Sequence, residues 1–128
     1  MPNNGTRQMS LGKLTWIDVQ SPSLELLEKM RDKYGFHDLD VEDCLSENQR
    51  SKIDEYDNYL FIILHFPFYD KRKHLVVSEE IDIFISNNTL VTVHDGTFKP
   101  FLDLYEASQK SAAEKKRIHF FIHHHFYK

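Results

Sequence analysis

The stretch IDEYDNYLFIILHF, Ile53–Phe66, decides the fold. Two runs rich in aromatic and β-branched residues, Ile53–Tyr56 and Tyr59–Phe66, flank the pair Asp57-Asn58. Such residues suit a pleated, half-buried surface, and a short polar break between two runs of them reads as a hairpin. The longest apolar run inside it, Tyr59–Leu64, is far shorter than the ~20 residues that cross a bilayer. Downstream, Pro67-Phe68-Tyr69-Asp70 and the basic Lys71-Arg72-Lys73 read as the next turn. Val77–Ser86 and Thr89–His94 then form a second strand pair across Asn87-Asn88, because asparagine tolerates the positive φ of tight turns.

Upstream, Leu11–Val19 reads as a strand around Trp16-Ile17, and residues 1–10 are polar and expected to fray. Ser21-Pro22 offers a polar cap and a proline at the first helical position, followed by the stripe Leu24, Leu27, Met30 and Tyr34. Gly35 is the expected stop, and Asp38 the expected cap of a short second helix carrying Leu39, Val41, Cys44 and Leu45. After Gly96, Phe98, Leu102 and Tyr105 share one helical face, and Ala112–Lys128 carries Ile118, Phe121, Ile122 and His125 at helical spacing. The expectation is a single α/β domain over residues 11–128, with helices covering a mixed, largely antiparallel sheet.

Composition narrows the function. With 128 residues, 41% hydrophobic and 28% charged, the chain can bury a core without staples. The single cysteine, Cys44, excludes an internal disulfide and a cysteine-based zinc cluster. A net charge of −4 argues against a general nucleic-acid binder. The N-terminus has no apolar stretch like that of a signal peptide, so a reducing, cytosolic setting is expected.

The acids are concentrated in 38–57, where Asp38, Asp40, Glu42, Asp43, Glu47, Asp54, Glu55 and Asp57 face only Arg50 and Lys52. Such a patch is either a solvated face or an attractor of cations. Glu80 and Asp82 alternate onto one face of their strand, away from Glu79, Ile81, Ile83 and Ile85. They are either the wet half of an amphipathic strand or oxygen donors for a hard cation. His119 and His123 share a helix face and have a divalent-metal spacing, but no third ligand accompanies them, and ordinary helix surface is the simpler reading. Cys44 sits among acids that raise a thiol's pKa and blunt it as a nucleophile. There is no nucleophile elbow and no glycine-rich phosphate loop, so no enzyme is expected.

Leu14-Thr15-Trp16-Ile17-Asp18, Tyr34-Gly35-Phe36-His37, Glu42-Asp43-Cys44-Leu45, the stretch Gln49–Phe61, Ile81-Asp82-Ile83-Phe84-Ile85 and Leu90-Val91-Thr92-Val93-His94 stand in this order, and the series resembles the CorA-type magnesium and divalent-cation transporter family. Leu14-Thr15-Trp16-Ile17-Asp18 before the Ser-Pro helix is similar to the family's opening. Tyr34-Gly35-Phe36-His37 and Glu42-Asp43-Cys44-Leu45 follow in the family's order. The stretch Gln49–Phe61 carries its Arg-x-Lys-x-acid-x-Tyr pattern before a hydrophobic strand. Ile81-Asp82-Ile83-Phe84-Ile85 and Leu90-Val91-Thr92-Val93-His94 are similar to its paired strands. The matches run over residues 11–95.

The resemblance implies an α/β/α sandwich that forms the cytoplasmic N-terminal domain of an integral membrane protein. It also implies a homopentamer in which divalent ions at subunit interfaces hold the pore closed. The family's Gly-Met-Asn signature, long stalk and membrane spans are not in these residues, so the chain is expected to be a soluble piece that meets the membrane only through a further C-terminal part. Alone it is expected to be a monomer or weak oligomer. Mg²⁺ is the implied cation, with Co²⁺, Ni²⁺ or Zn²⁺ as alternatives. Glu80 and Asp82 are the candidate ligands, with Asp40 and Asp43 behind them. Two other readings stand beside this one: a free-standing soluble interaction module that reuses the fold without transport, and a small metal-dependent enzyme using His119 or His123.

Overall fold

The computed structural model describes residues 5–46 and 49–126, with side chains described as far as residue 113. The chain runs β1 (Thr6–Leu11), β2 (Leu14–Gln20), α1 (Leu24–Tyr34), α2 (Asp38–Leu45), β3 (Lys52–Glu55), β4 (Leu60–Asp70), β5 (Leu75–Ile85), β6 (Thr89–His94) and α3 (Lys99–Phe126). The six strands form one sheet in the order β1-β2-β6-β5-β4-β3. From β2 the chain crosses through α1 and α2 to the far edge, then returns as the antiparallel meander β3–β6. The meander ends beside β2, and β2–β6 is the one parallel pair among the described residues. The mixed, largely antiparallel sheet is the expected one.

Period-two alternation divides the side chains between two cores. Ile17, Val19, Phe61, Ile63, Phe84, Val91 and Val93 face α1 and α2, where Leu27, Met30, Phe36 and Val41 meet them. Phe36 stacks on Phe84 with ring centroids 4.0 Å apart. On the opposite face Trp16, Ile81 and Met9 lie under Phe101 and Tyr105 of α3. The result is the α/β/α sandwich. Among the described residues no helix is long and apolar enough to cross a membrane.

Several boundaries differ from the sequence reading. Residues 6–10 are not frayed: they form edge strand β1, paired with β2 across a two-residue turn in which Gly12 takes φ 65°. Helix α1 starts at Leu24, capped by Ser23, whose hydroxyl accepts the Leu26 N–H. Ser21 instead ties the chain to the end of the sheet, its N–H donated to the His94 carbonyl and its hydroxyl to the Asp95 carbonyl. Gly35 closes α1 as expected, at φ 75° with its N–H on the Arg31 carbonyl. His37, not Asp38, caps α2. Strand β4 runs through Pro67 to Asp70; β3 covers only Leu60–Ile63, so beyond that point one side of β4 is an open edge where proline's missing donor is harmless. The two C-terminal helices are one, α3, which has no glycine or proline after Pro100 to interrupt it.

Candidate functional site

Helix α2 turns Val41 inward and brings Asp40 with it. Asp40 is fully buried, yet both its oxygens are satisfied: Tyr56 Oη donates to Oδ1 at 2.9 Å and Tyr59 Oη donates to Oδ2. Tyr59 Oη in turn accepts the His37 N–H, and the two phenol rings stack 4.7 Å apart. Burial pushes the Asp40 carboxyl above its ordinary range against the pull of the two phenols, and burial beside this carboxylate pushes Tyr56 up to about 12. Asp40 therefore fixes α2 on the sheet and has little left to offer an ion.

Asp43 lies one turn further along α2, near the surface. Lys52 on β3 reaches between it and Asp54, with Nζ 2.7 Å from Asp43 Oδ2 and 3.0 Å from Asp54 Oδ2. These carboxylates hold the Lys52 ammonium above its usual range. Asp40, Asp43 and Asp54 each bring an oxygen to within 4.8 Å of the others. This is a cation position made of oxygen donors, and the chain's own ammonium sits in it. Of the two bases in the acidic segment, Lys52 pairs with its acids, while Arg50 makes no ion pair among the described residues.

Glu80 and Asp82 do share a face of β5, as alternation requires, but it is not the wet face. It carries Phe84 and lies under α2, and Asp82 is only 3% exposed. The two carboxyls line a cleft of about 580 Å³ between the C-terminal end of α2 and strands β4–β6, together with Cys44, His65, Glu79 and Asp95. Burial first, then the neighbouring Glu80, push Asp82 up to about 8. Burial, and next the Asp82 carboxyl, push the Cys44 thiol well above its usual value, which makes it inert as a nucleophile. His65 Nε2 stands 3.3 Å from Glu80 Oε1, while Ser51 Oγ holds its Nδ1 at 2.7 Å. So the four candidate acids lie on the α2 side of the sheet in two groups: Asp40 and Asp43 with Asp54, and Glu80 with Asp82. The sequence reading missed Asp54 and His65 as members, since nothing local marks them.

The opposite face holds a buried network that the sequence did not signal. Asp18 Oδ1 accepts from Thr92 Oγ1 at 2.6 Å and from His94 Nε2 at 2.8 Å, and Oδ2 accepts from Arg7 Nε at 3.0 Å. Trp16 Nε1 donates to Thr92 Oγ1 at 2.9 Å. Arg7 lies over the Tyr105 ring, 3.8 Å from its centroid. Burial opposes the Asp18 charge, but the donors from His94, Thr92 and Arg7 outweigh it and hold the carboxylate below its ordinary range. The side chains of His119 and His123 lie outside the described residues.

The sequence profile of the family described as CorA-like Mg²⁺ transporter protein matches residues 12–127. YfjQ of Bacillus subtilis, named provisionally as a metal ion transporter, is 37% identical over 79 residues, which are 62% of this chain and 24% of that one. The cobalt/magnesium transport protein CorA of Thermotoga maritima is 31% identical over 78 residues, 60% of this chain and 22% of its own. The chain thus spans about a quarter of the length of the curated relatives it matches. Among solved structures, the soluble domain of CorA from Methanocaldococcus jannaschii superposes with a TM-score of 0.60 at 28% identity, over 73% of this chain and 36% of that one.

Proposed function

Since this chain belongs to the CorA-like Mg²⁺ transporter family, we propose that it is the N-terminal cytoplasmic regulatory domain of a transporter for Mg²⁺ or, alternatively, Co²⁺, Ni²⁺ or Zn²⁺. In this reading residues 11–128 are one domain on the cytoplasmic side, with no enzymatic role. It works as part of a homopentamer joined to the membrane by a further C-terminal segment.

The observation that carries the reading is the cation position at α2 and β3. Asp43 and Asp54 are partly exposed carboxylates already arranged around a cation, with the Asp40 charge behind them. Mg²⁺ prefers oxygen ligands and keeps several of its waters, so an edge site with two partly exposed carboxylates suits it better than a closed cage. A carboxylate of a neighbouring subunit would complete the shell. The ion would then favour whichever subunit arrangement brings that carboxylate close, and a difference in affinity between arrangements is all that gating requires. Lys52 sets the threshold, because Mg²⁺ must displace a tethered ammonium.

The test is a Mg²⁺ titration of the full-length protein from micromolar to tens of millimolar, following transport and conformation together. Closure by Mg²⁺ is expected, shifted to higher concentration by Asp43→Asn. Unchanged conformation and transport over that range would overturn the reading.

A further inference from the structure

The cleft beside α2 differs in chemistry from the α2–β3 carboxylates. Its donors are of three kinds: the Cys44 thiol, the His65 imidazole, and the Glu80 and Asp82 carboxylates. They follow one another as near neighbours, Cys44 against Asp82, Asp82 against Glu80, and Glu80 against His65 at 3.3 Å. Two elements fix the inner pair. β5 aims Asp82 into the cleft from below, and the last turn of α2 lowers Cys44 onto it from above.

Asp82 is the decisive member. It is 3% exposed, lines the cleft, and its Oδ1 has no hydrogen-bond partner among the described residues. A buried carboxyl oxygen without a partner is costly, and in a polar cleft of this volume it points to something that binds there. Among the described residues no lysine or arginine lines this cleft, whereas Lys52 occupies the neighbouring oxygen site.

We propose that this cleft is a second divalent-cation site, within a single subunit, whose ligands are Cys44 Sγ, Asp82 Oδ1, a Glu80 oxygen and His65 Nε2, and whose ion is a borderline transition metal such as Co²⁺ or Zn²⁺ rather than Mg²⁺. Sulfur and imidazole donors favour such ions, while Mg²⁺ takes oxygen alone. The four donors form a row, and a metal draws them onto one point about 2.0–2.3 Å from each. The outer two can make that move, since the Glu80 and His65 side chains are 22% and 25% exposed. Ser51 Oγ lies 2.7 Å from His65 Nδ1, so the tautomer with its proton on Nδ1 has an acceptor there and its Nε2 lone pair is open to the ion, as supporting bonds to metal-bound histidines arrange. The site stands independently of any transport role.

The test is Co²⁺ titration followed by absorption. Because Cys44 is the only cysteine, a thiolate-to-cobalt charge-transfer band in the near ultraviolet reports on this one residue. The expected result is saturation of the band at one equivalent, loss of the band in Cys44→Ser, and at least tenfold weaker binding in Asp82→Asn. A hundredfold excess of Mg²⁺ should leave the band intact. Glu80→Gln, at a partly exposed position, provides the same weakening should Asp82→Asn fail to fold. Co²⁺ binding without a thiolate band would overturn the proposal. So would a band insensitive to both carboxyl variants, or one abolished by replacing His119, His123, His124 and His125 with alanine while Cys44 is intact.

Discussion

Asp18→Asn keeps the shape of the side chain and removes only its charge and one acceptor, so it isolates what the buried network does. Each of the three groups around Asp18 can only donate to it. Thr92 Oγ1 already accepts the Trp16 indole N–H, which turns its own proton toward Asp18. His94 Nδ1 accepts the Gly96 N–H at 3.0 Å, so the imidazole proton must sit on Nε2, facing Asp18. Arg7 Nε carries a permanent proton. An asparagine oxygen can serve Thr92 and His94, but its NH₂ then confronts Arg7 Nε–H at 3.0 Å, donor against donor. A hydrogen bond to a charged group contributes about 1.5–3 kcal/mol, and a buried donor left without an acceptor costs about 1–3 kcal/mol more.

Arg7 is 34% exposed and can turn part of its head toward water, so the expected loss is about 2–4 kcal/mol, or a fall in Tm of roughly 10 °C. Urea unfolding of both proteins at neutral pH measures it, with an unchanged slope marking the difference as one of stability. Arg7→Met alone should cost less, and in the double variant the two losses should fall short of their sum. The pH dependence has a definite sign. Asp18 is held below its ordinary value of 3.8 when folded, so its contribution is present above that value. It is lost as pH falls below about 3.8 through the folded pKa, and the two proteins should converge there. Asp18→Asn within about 0.5 kcal/mol of the parent at neutral pH would refute the argument.

Three further outcomes follow from the geometry. Lys52→Met removes the tethered ammonium from between Asp43 and Asp54 and should tighten Mg²⁺ binding about tenfold by calorimetry, an effect erased when Asp43→Asn is added. Tyr59→Phe leaves both an Asp40 oxygen and the His37 N–H without a partner and should cost about 2 kcal/mol in urea unfolding; no loss would mean that Asp40 does not depend on the phenol. Gly35→Ala should cost about 1 kcal/mol from the left-handed backbone alone, since an added Cβ would meet nothing within 4 Å; a larger loss by thermal unfolding would point to a clash that the geometry does not contain.

What the sequence could tell followed from how local each signal is. The hairpins β4–β5 and β5–β6 were readable because their periodicity and polar turns lie within a few residues of one another. So was the close of α1, since only Gly35 in that region takes a left-handed turn without strain. β1 was not readable: Thr6–Leu11 has little apolar content, and its pairing is supplied by β2. Alternation correctly put Glu80 and Asp82 on one face but said nothing about what covers that face. The helix that does so, α2, is brought there by Val41 and Asp40 through contacts with distant strands. Thr92 and His94 are 74 and 76 residues from Asp18, so their convergence has no local trace.

The parallel pair has a kinetic consequence. Every other strand pairing among the described residues joins neighbours in sequence, but β2 meets β6 only after the meander between them exists, with Thr15 opposite Thr89. Closing so long a loop must precede any return from the contacts it permits, and such pairings slow folding. The hairpin β1–β2 must therefore wait, with the β6 side of β2 unpaired, while β3 to β6 assemble. Trp16 lies on β2 and reaches Thr92 on β6, so its fluorescence marks the moment the two halves join. A chain emerging from the ribosome completes its sheet with its oldest strands, once β6 has appeared.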